Sequence, residues 1–187
     1  NWFAAHYPDC GFHLKNRLDR DTSGLCMVAK DALTVHALGR VEKRYFALVK
    51  PGLKGSGTVD APIGRHKTDR KRMAVVENGR HAVTHWRVAE RFGEVTLLDV
   101  ALETGRTHQI RVHMAYCKHP ILGDEVYGSP APKLGLNGQA LHGYRLTFTH
   151  PKTGETMSFT ATIPEDFQKA LHILGSKLQD TPYLPKL

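Results

Sequence analysis

The sequence predicts an α+β fold, with a mixed, mainly antiparallel sheet flanked by helices and loops. Three observations carry that expectation. His142, Tyr144, Leu146 and Phe148 alternate with Gly143, Arg145, Thr147 and Thr149; a Pro151-Lys152-Thr153-Gly154 turn follows; and Met157, Phe159, Ala161 and Ile163 alternate on the return, which is the pattern of a hairpin. Two short apolar runs, Gly24–Ala29 and Tyr45–Val49, read as strands buried on both faces near the centre of one sheet. Helical spacing occurs in separate places, so hairpins and helices are segregated and do not alternate as in a doubly wound fold.

The remaining elements follow in chain order. Lys30–Glu42 leaves room for an amphipathic helix barely long enough to exist. Pro51–Gly57 is a Gly-rich loop. Arg65–Arg72 carries five Lys/Arg against one Asp and reads either as a solvated loop or hairpin or as an RNA contact. From Val95 to Glu103, the apolar set Thr96, Leu98, Val100 and Leu102 alternates with the mixed set Leu97, Asp99, Ala101 and Glu103, as expected of a strand with one side in the core. Thr107 stands where a helix N-cap belongs, and Ile110, Met114 and Cys117 recur at helical spacing until His119-Pro120. That helix sets His108 and Arg111 on a face beside its buried stripe. After Pro164, the stripe Phe167, Leu171, Leu174 and Leu178 marks a last amphipathic helix, and the tail beyond Asp180, with two prolines, reads as frayed.

Size and composition exclude several classes. The 187 residues suit one domain, 1–187, with no repeat or low-complexity linker to divide it. With 41% hydrophobic and 24% charged residues, the chain has the composition of a protein that folds. No apolar run approaches the roughly 20 residues needed to cross a bilayer, which argues against a membrane protein. Lys and Arg total 26 against 18 Asp and Glu, and the resulting charge of +8 favours a polyanionic partner. Cys10, Cys26 and Cys117 form no C-x-x-C pair and leave a thiol over, so a reducing, cytoplasmic home is expected over a secreted disulfide scaffold. The first residues lack the basic and apolar regions of a secretory signal.

Two constellations carry chemistry. Arg17-Leu18-Asp19-Arg20-Asp21-Thr22-Ser23-Gly24 packs acids among guanidinium groups. A carboxylate so surrounded stays ionised and can attack a sugar carbon, while the plainer reading is a surface ion-pair cluster. Gly105-Arg106-Thr107-His108-Gln109-Ile110-Arg111-Val112-His113 gathers cations and amides at a helix N-terminus, which suits a phosphate, a carboxylate or both. His108, His113, Cys117 and His119 invite a metal reading, but their spacing fits no H-E-x-x-H or paired C-x-x-C pattern, and no metal is expected. Phosphate-binding, dinucleotide-binding and nucleophile-elbow motifs are missing from the sequence, so nucleotide-driven and serine-hydrolase chemistry lose support.

RLDRDTSG at Arg17–Gly24, EKRYFALV at Glu42–Val49 and GRTHQIRVHMAYCKHPILGDEVYG at Gly105–Gly128 together resemble, in order, the RluA family of pseudouridine synthases. The resemblance runs from about Asp19 to Phe167, and Gly57–Val88 is most similar to the branch acting on large-subunit ribosomal RNA. It implies the pseudouridine synthase catalytic fold and an isomerase that needs no cofactor. By the resemblance, Asp19 is the nucleophile, attacking the target nucleotide at the ribose C1′. Arg111 pairs with it. Tyr45 packs against the flipped base and is a candidate for removing the C5 proton. Arg17 helps replace the extruded nucleotide in RNA. Arg20, Arg65, Lys67, Arg70, Lys71, Arg72, Arg106 and His108 complete the expected RNA contacts.

Several departures accompany the resemblance. Asn16 stands where the family usually has His. The spacing from Asp19 to Tyr45 is several positions shorter than the family's, and the family's strand with a Lys-Pro pair ahead of the catalytic loop is not visible, nor is the small N-terminal RNA-binding domain that members of the branch often carry. These read as an incomplete catalytic domain. The expected partner is RNA, from ribosomal RNA or a pre-ribosomal particle, bound by a monomer. Two other readings stay open: an RNA-binding assembly factor without turnover, and the same chemistry on transfer or messenger RNA.

Overall fold

The computed structural model describes residues 2–128 and 134–180. In chain order the elements are α1 (Trp2–His6), β1 (His13–Leu14), β2 (Ser23–Gly24), β3 (Val28–Ala29), α2 (Ala32–Ala37), β4 (Glu42–Val49), β5 (Ser56–Asp60), β6 (Ile63–Arg65), β7 (Met73–Val75), β8 (Val83–Arg91), β9 (Thr96–Leu102), α3 (Gln109–Tyr116), β10 (Leu141–Thr149), β11 (Thr156–Thr160) and α4 (Glu165–Ile173). A seven-stranded sheet in the order β11-β10-β4-β9-β8-β5, with β2 running parallel to β10, forms the body. Every other pairing in it is antiparallel. The expected α+β architecture is therefore the observed one.

Strand β4 lies between β10 and β9, as its apolar run requires, and Tyr45 through Val49 are all buried. Strand β9 departs from its reading. Leu97 and Asp99, placed on a mixed face by the alternation, are 0% and 1% exposed, because β9 is flanked by β4 and β8 with both faces covered. Asp99 is satisfied there by three strands: Arg44 of β4 grips it with Nε and Nη2, Arg87 of β8 donates at 3.1 Å, and Tyr144 of β10 donates its hydroxyl at 2.9 Å. An acid that reads as solvent-facing is a buried clamp across the sheet.

Gly24–Ala29 is not a central buried strand. It splits into β2, beside β10, and β3, which pairs with β1 in a separate two-stranded ribbon, and Cys26 between them is exposed. The Asn16 side chain causes the break: it donates to the Leu25 carbonyl at 3.1 Å and accepts from the Met27 amide at 2.7 Å, occupying backbone groups that a continuous strand would pair. The Gly-rich loop Pro51–Gly57 ends early, since Ser56 already opens β5. Strand β8 carries too many charged residues to announce itself, and it pairs on both sides.

Helix α2 is as short as its segment allows; Asp31 caps it by accepting from the Thr34 amide at 2.7 Å. Thr107 is not the cap of α3. That position belongs to His108, at φ 56° and without a side-chain cap bond, while the Gln109 side chain ties the helix start to the preceding loop by accepting from the Arg106 amide at 2.9 Å. Gln109 also accepts from Thr104 and donates to the Val83 carbonyl and Thr84, so one buried amide fixes the helix start against β8. The hairpin β10–β11 forms as expected, but its return strand ends at Thr160, so Ala161 and Ile163 lie beyond it, and Phe159 is exposed. Helix α4 buries Phe167, Ala170 and Leu171, but it stops at Gly175 (φ 71°), and Leu178 reaches the core from a 3-10 turn beyond it. The tail from 181 onward lies outside the described residues.

Gly24 adopts φ 121°, and a Cβ there would lie 2.2 Å from the Gly143 carbonyl oxygen. Backbone meets backbone, so no rotamer relieves the contact. Gly24→Ala is expected to lower stability by at least about 2 kcal/mol. Thermal unfolding should show a Tm lower by roughly 4–8 °C.

Candidate active site

A cavity of about 300 Å³ opens where β4, β9 and β10 meet the start of α3 and the loop between β1 and β2. Asp19 lies on that loop, Tyr45 on β4 and His108 at the head of α3, and all three line the cavity. The loop is seated from below. Gln139 donates its amide to the Arg20 carbonyl at 2.5 Å and to the Thr22 hydroxyl at 2.8 Å, and the Thr22 amide closes a turn on the Asp19 carbonyl at 3.1 Å. Gly143 leaves room for the Tyr45 ring, since a Cβ there would come 3.0 Å from Tyr45 Cε1.

Arg111 is 5% exposed and faces two carboxylates. Its Nε and Nη2 form a bidentate pair with Asp124, at 2.7 and 2.9 Å, and its Nη1 reaches Asp19 at 3.4 Å. Asp124 is itself buried and accepts the amides of Val126 and Tyr127. Burial alone would raise the Asp124 carboxyl; the Arg111 hydrogen bond and charge, with the two amides, hold it below its ordinary value. Burial works against the Arg111 cation too, and Asp124 more than restores it, with Asp19 adding to the effect.

Tyr45 is 7% exposed, and its phenol is pushed up to about 12, by burial first and then by the nearby charge of Asp19. It is a neutral hydroxyl at any physiological pH. His108 is pulled below its ordinary value by burial, reinforced by Arg111 and Arg17 and opposed by Asp19 and Asp124. Its Nδ1 lies 2.8 Å from the Tyr127 hydroxyl, which accepts the Met73 amide at 2.8 Å. The Tyr127 ring lies between Arg111, 5.1 Å from its centroid, and Arg72, at 5.3 Å.

The expected RNA contacts divide into groups. Arg17, Arg106 and His108 line the cavity; Arg17 donates to the Thr107 hydroxyl at 3.0 Å and Arg106 to the His81 carbonyl at 2.8 Å. Arg20 points into solvent beside Asp21, 3.7 Å away. Arg65, Lys67, Arg70 and Lys71 are exposed on the β6–β7 hairpin, where Arg65 donates to the Arg70 carbonyl at 2.9 Å. Arg72, at the end of that segment, is partly buried over Tyr127. Of the residues weighed as metal ligands, His113 is bonded at both ring nitrogens, Nδ1 to the Thr84 hydroxyl and Nε2 to the Ala61 carbonyl, and His119 places Nδ1 3.3 Å from the Lys50 carbonyl.

Asp124 and Tyr127 were not singled out from the sequence. Both lie within the Gly105–Gly128 motif, but only the fold shows that Ile121 and Leu122 pair beside the end of β4 and so return Asp124 to Arg111. Asn16 lines the cavity and spends its amide on the local backbone.

A sheet carrying an aspartate loop, a buried arginine on the next helix and a tyrosine on the central strand defines a member of a known class. Residues 9–116 match the model of the RNA pseudouridylate synthase family, and the chain belongs to that family. It is 47% identical to ribosomal large subunit pseudouridine synthase D of Vibrio cholerae over 87% of this chain and 55% of that protein. It is 46% identical to an uncharacterized RNA pseudouridine synthase of Chloroflexus aurantiacus over 95% of this chain and 60% of that one. The chain thus spans little more than half the length of these relatives. Among solved structures, human RNA pseudouridylate synthase domain containing 1 superposes with a TM-score of 0.71 at 28% identity, covering 87% of this chain and 72% of that one.

Asp124→Asn removes one charge of a buried pair and should destabilise the fold by about 3–5 kcal/mol. The Asp124 carboxyl is held low in the folded state, so its contribution is complete above the unfolded value and is lost as pH falls through the folded one. Chemical denaturation from pH 7 downward should show wild-type stability falling below about pH 4, and the Asn variant should lack this part of the slope.

Proposed function

We propose that this chain is the catalytic domain of an RNA pseudouridine synthase acting on uridines of large-subunit ribosomal RNA. The observation that carries the reading is the shared arginine: Arg111 is committed to Asp124 by two bonds and offers one longer contact to Asp19, which lines a cavity together with Tyr45. Asp19 is thereby positioned without being tied up. The printed name of the Vibrio cholerae relative supports the choice of RNA.

In the proposed reaction the target uridine leaves its stack and enters the cavity, where the Tyr45 ring meets its base. The Asp19 carboxylate forms a C1′–O bond as the C1′–N1 bond breaks, and uracil departs as an anion. Uracil turns, its C5 bonds to C1′, and the ester breaks to return the Asp19 carboxylate. The C5 proton must then leave and N1 must gain one. Tyr45 holds its own proton too firmly to act as a standing phenolate, so we assign it a relay role: it takes the C5 proton as it releases its own to the freed Asp19 carboxylate, and Asp19 passes a proton through water to N1, which restores both side chains. The cations at the cavity and on the β6–β7 hairpin bind the RNA backbone.

Asp19→Asn should abolish pseudouridine formation, read chemically on RNA incubated with the protein; undiminished product would end the assignment of Asp19. Tyr45→Phe keeps the ring and is expected to leave RNA affinity within a few-fold while slowing single turnover by about 100-fold or more. Equilibrium binding should weaken steeply with salt, and neutralising Arg65, Lys67, Arg70 and Lys71 together should flatten that dependence. An unchanged slope would remove the hairpin from the interface.

A further inference from the structure

Lys43 was not among the residues expected to contact RNA, yet it lines the same cavity as Asp19 and Tyr45. It stands two residues before Tyr45 on β4, so both side chains leave the strand on the same face, about 7 Å apart along it. Lys43 is only partly exposed, and among the described residues no carboxylate pairs with it. Its charged neighbours are of its own sign: burial first, then Arg40 and Lys15, draw the Lys43 ammonium below its ordinary value. A half-buried cation among cations is costly unless an anion arrives.

Gly105 lies beside that ammonium. A Cβ at Gly105 would lie 3.1 Å from Lys43 Nζ, so the missing side chain leaves the Nζ room beside the loop that leads into α3. Arg106 and Arg17, on the same cavity, add cations at its rim. Asp19 is the acid of the cavity lining, and it is engaged by Arg111.

We propose that Lys43, seated against Gly105, binds the backbone phosphate of the nucleotide whose base rests on Tyr45. The inference rests on the RNA pseudouridine synthase reading and adds a residue to it. Base and phosphate of one nucleotide would then be held by two side chains on one face of one strand, fixing the ribose between them where Asp19 can reach C1′. A flipped nucleotide brings its own negative charge, and Lys43 neutralises it where Asp19 alone would repel it.

The test is a cycle of side-chain and backbone changes on the intact protein. Binding and single turnover would be measured on a uridine-containing RNA oligonucleotide, and on versions in which each phosphate flanking the target is replaced singly by neutral methylphosphonate. Lys43→Met is expected to weaken binding about tenfold and to lower the salt slope by about one. One neutral linkage should cost the wild type a similar factor and the Met variant nothing further. Lys43→Arg, which keeps the charge, should retain most of the binding, and both variants should keep the wild-type melting temperature. The proposal is overturned if every neutral linkage costs the variant as much as the wild type, or if the slope is unchanged. Should the wild type bind the oligonucleotide but form no pseudouridine on any RNA, the functional reading falls, while the binding cycle still decides whether Lys43 holds a phosphate.

Discussion

The geometry of the site depends on one buried ion pair. A guanidinium with two of its nitrogens on Asp124 cannot swing, and the third nitrogen that faces Asp19 is therefore fixed in direction. Had Asp19 been the sole partner, the arginine would form its bidentate pair there, and the carboxylate would be bonded on the atoms that the proposed reaction uses for attack. Asp124 takes that role away from it. The cost of burying Asp124 is met by the Val126 and Tyr127 amides and by Arg111 itself, so the pair is satisfied on every side that matters.

A second constraint brings the loop to the sheet. Three close approaches stack in one direction: Gly24 against Gly143, Gly143 against the Tyr45 ring, and Gly138 against Asp21. Each needs the smallest residue, because the atom it meets belongs to backbone, to an aromatic ring or to the Cβ end of a short side chain. Gln139 then fastens the turn through Arg20 and Thr22. The loop that carries Asp19 is thus held by the same strand that neighbours Tyr45, and the separation of the two groups is set by sheet pairing rather than by a flexible linker.

The sequence was most legible where periodicity and burial agree. Tyr45–Val49 is apolar and buried on both faces, and the β10–β11 hairpin has alternation and a turn, so both could be read directly. Asp99 and Asn16 misled for a common reason: their side chains are spent on partners distant in sequence or on the local backbone, and period alone cannot report either. Strand β8 was hidden because charged side chains on a sheet that pairs on both sides look like a loop. At the site, Asp19, Tyr45 and Arg111 were named from motifs, and the fold brings them to one cavity or its border. Asp124, Tyr127 and Lys43 lay in the same motifs, but their importance arises from contacts that only tertiary structure creates.

Tyr127 shows how far the site extends. Its hydroxyl accepts the Met73 amide at the start of β7 and meets His108 at the head of α3, while its ring face is shared by Arg72 and Arg111. The hydroxyl that accepts from Met73 can also donate its proton to His108 Nδ1, 2.8 Å away. That direction requires an unprotonated Nδ1, which the burial of His108 favours. The basic hairpin and the buried arginine therefore hang on one aromatic ring, one through a backbone amide and Arg72, the other through Arg111. The hairpin surface is thus joined to the Asp19 carboxylate by packed, hydrogen-bonded groups. In the proposed reaction such a connection suits the binding of a nucleotide removed from its stack, because the unstacking energy is recovered only if the receiving groups are already in place.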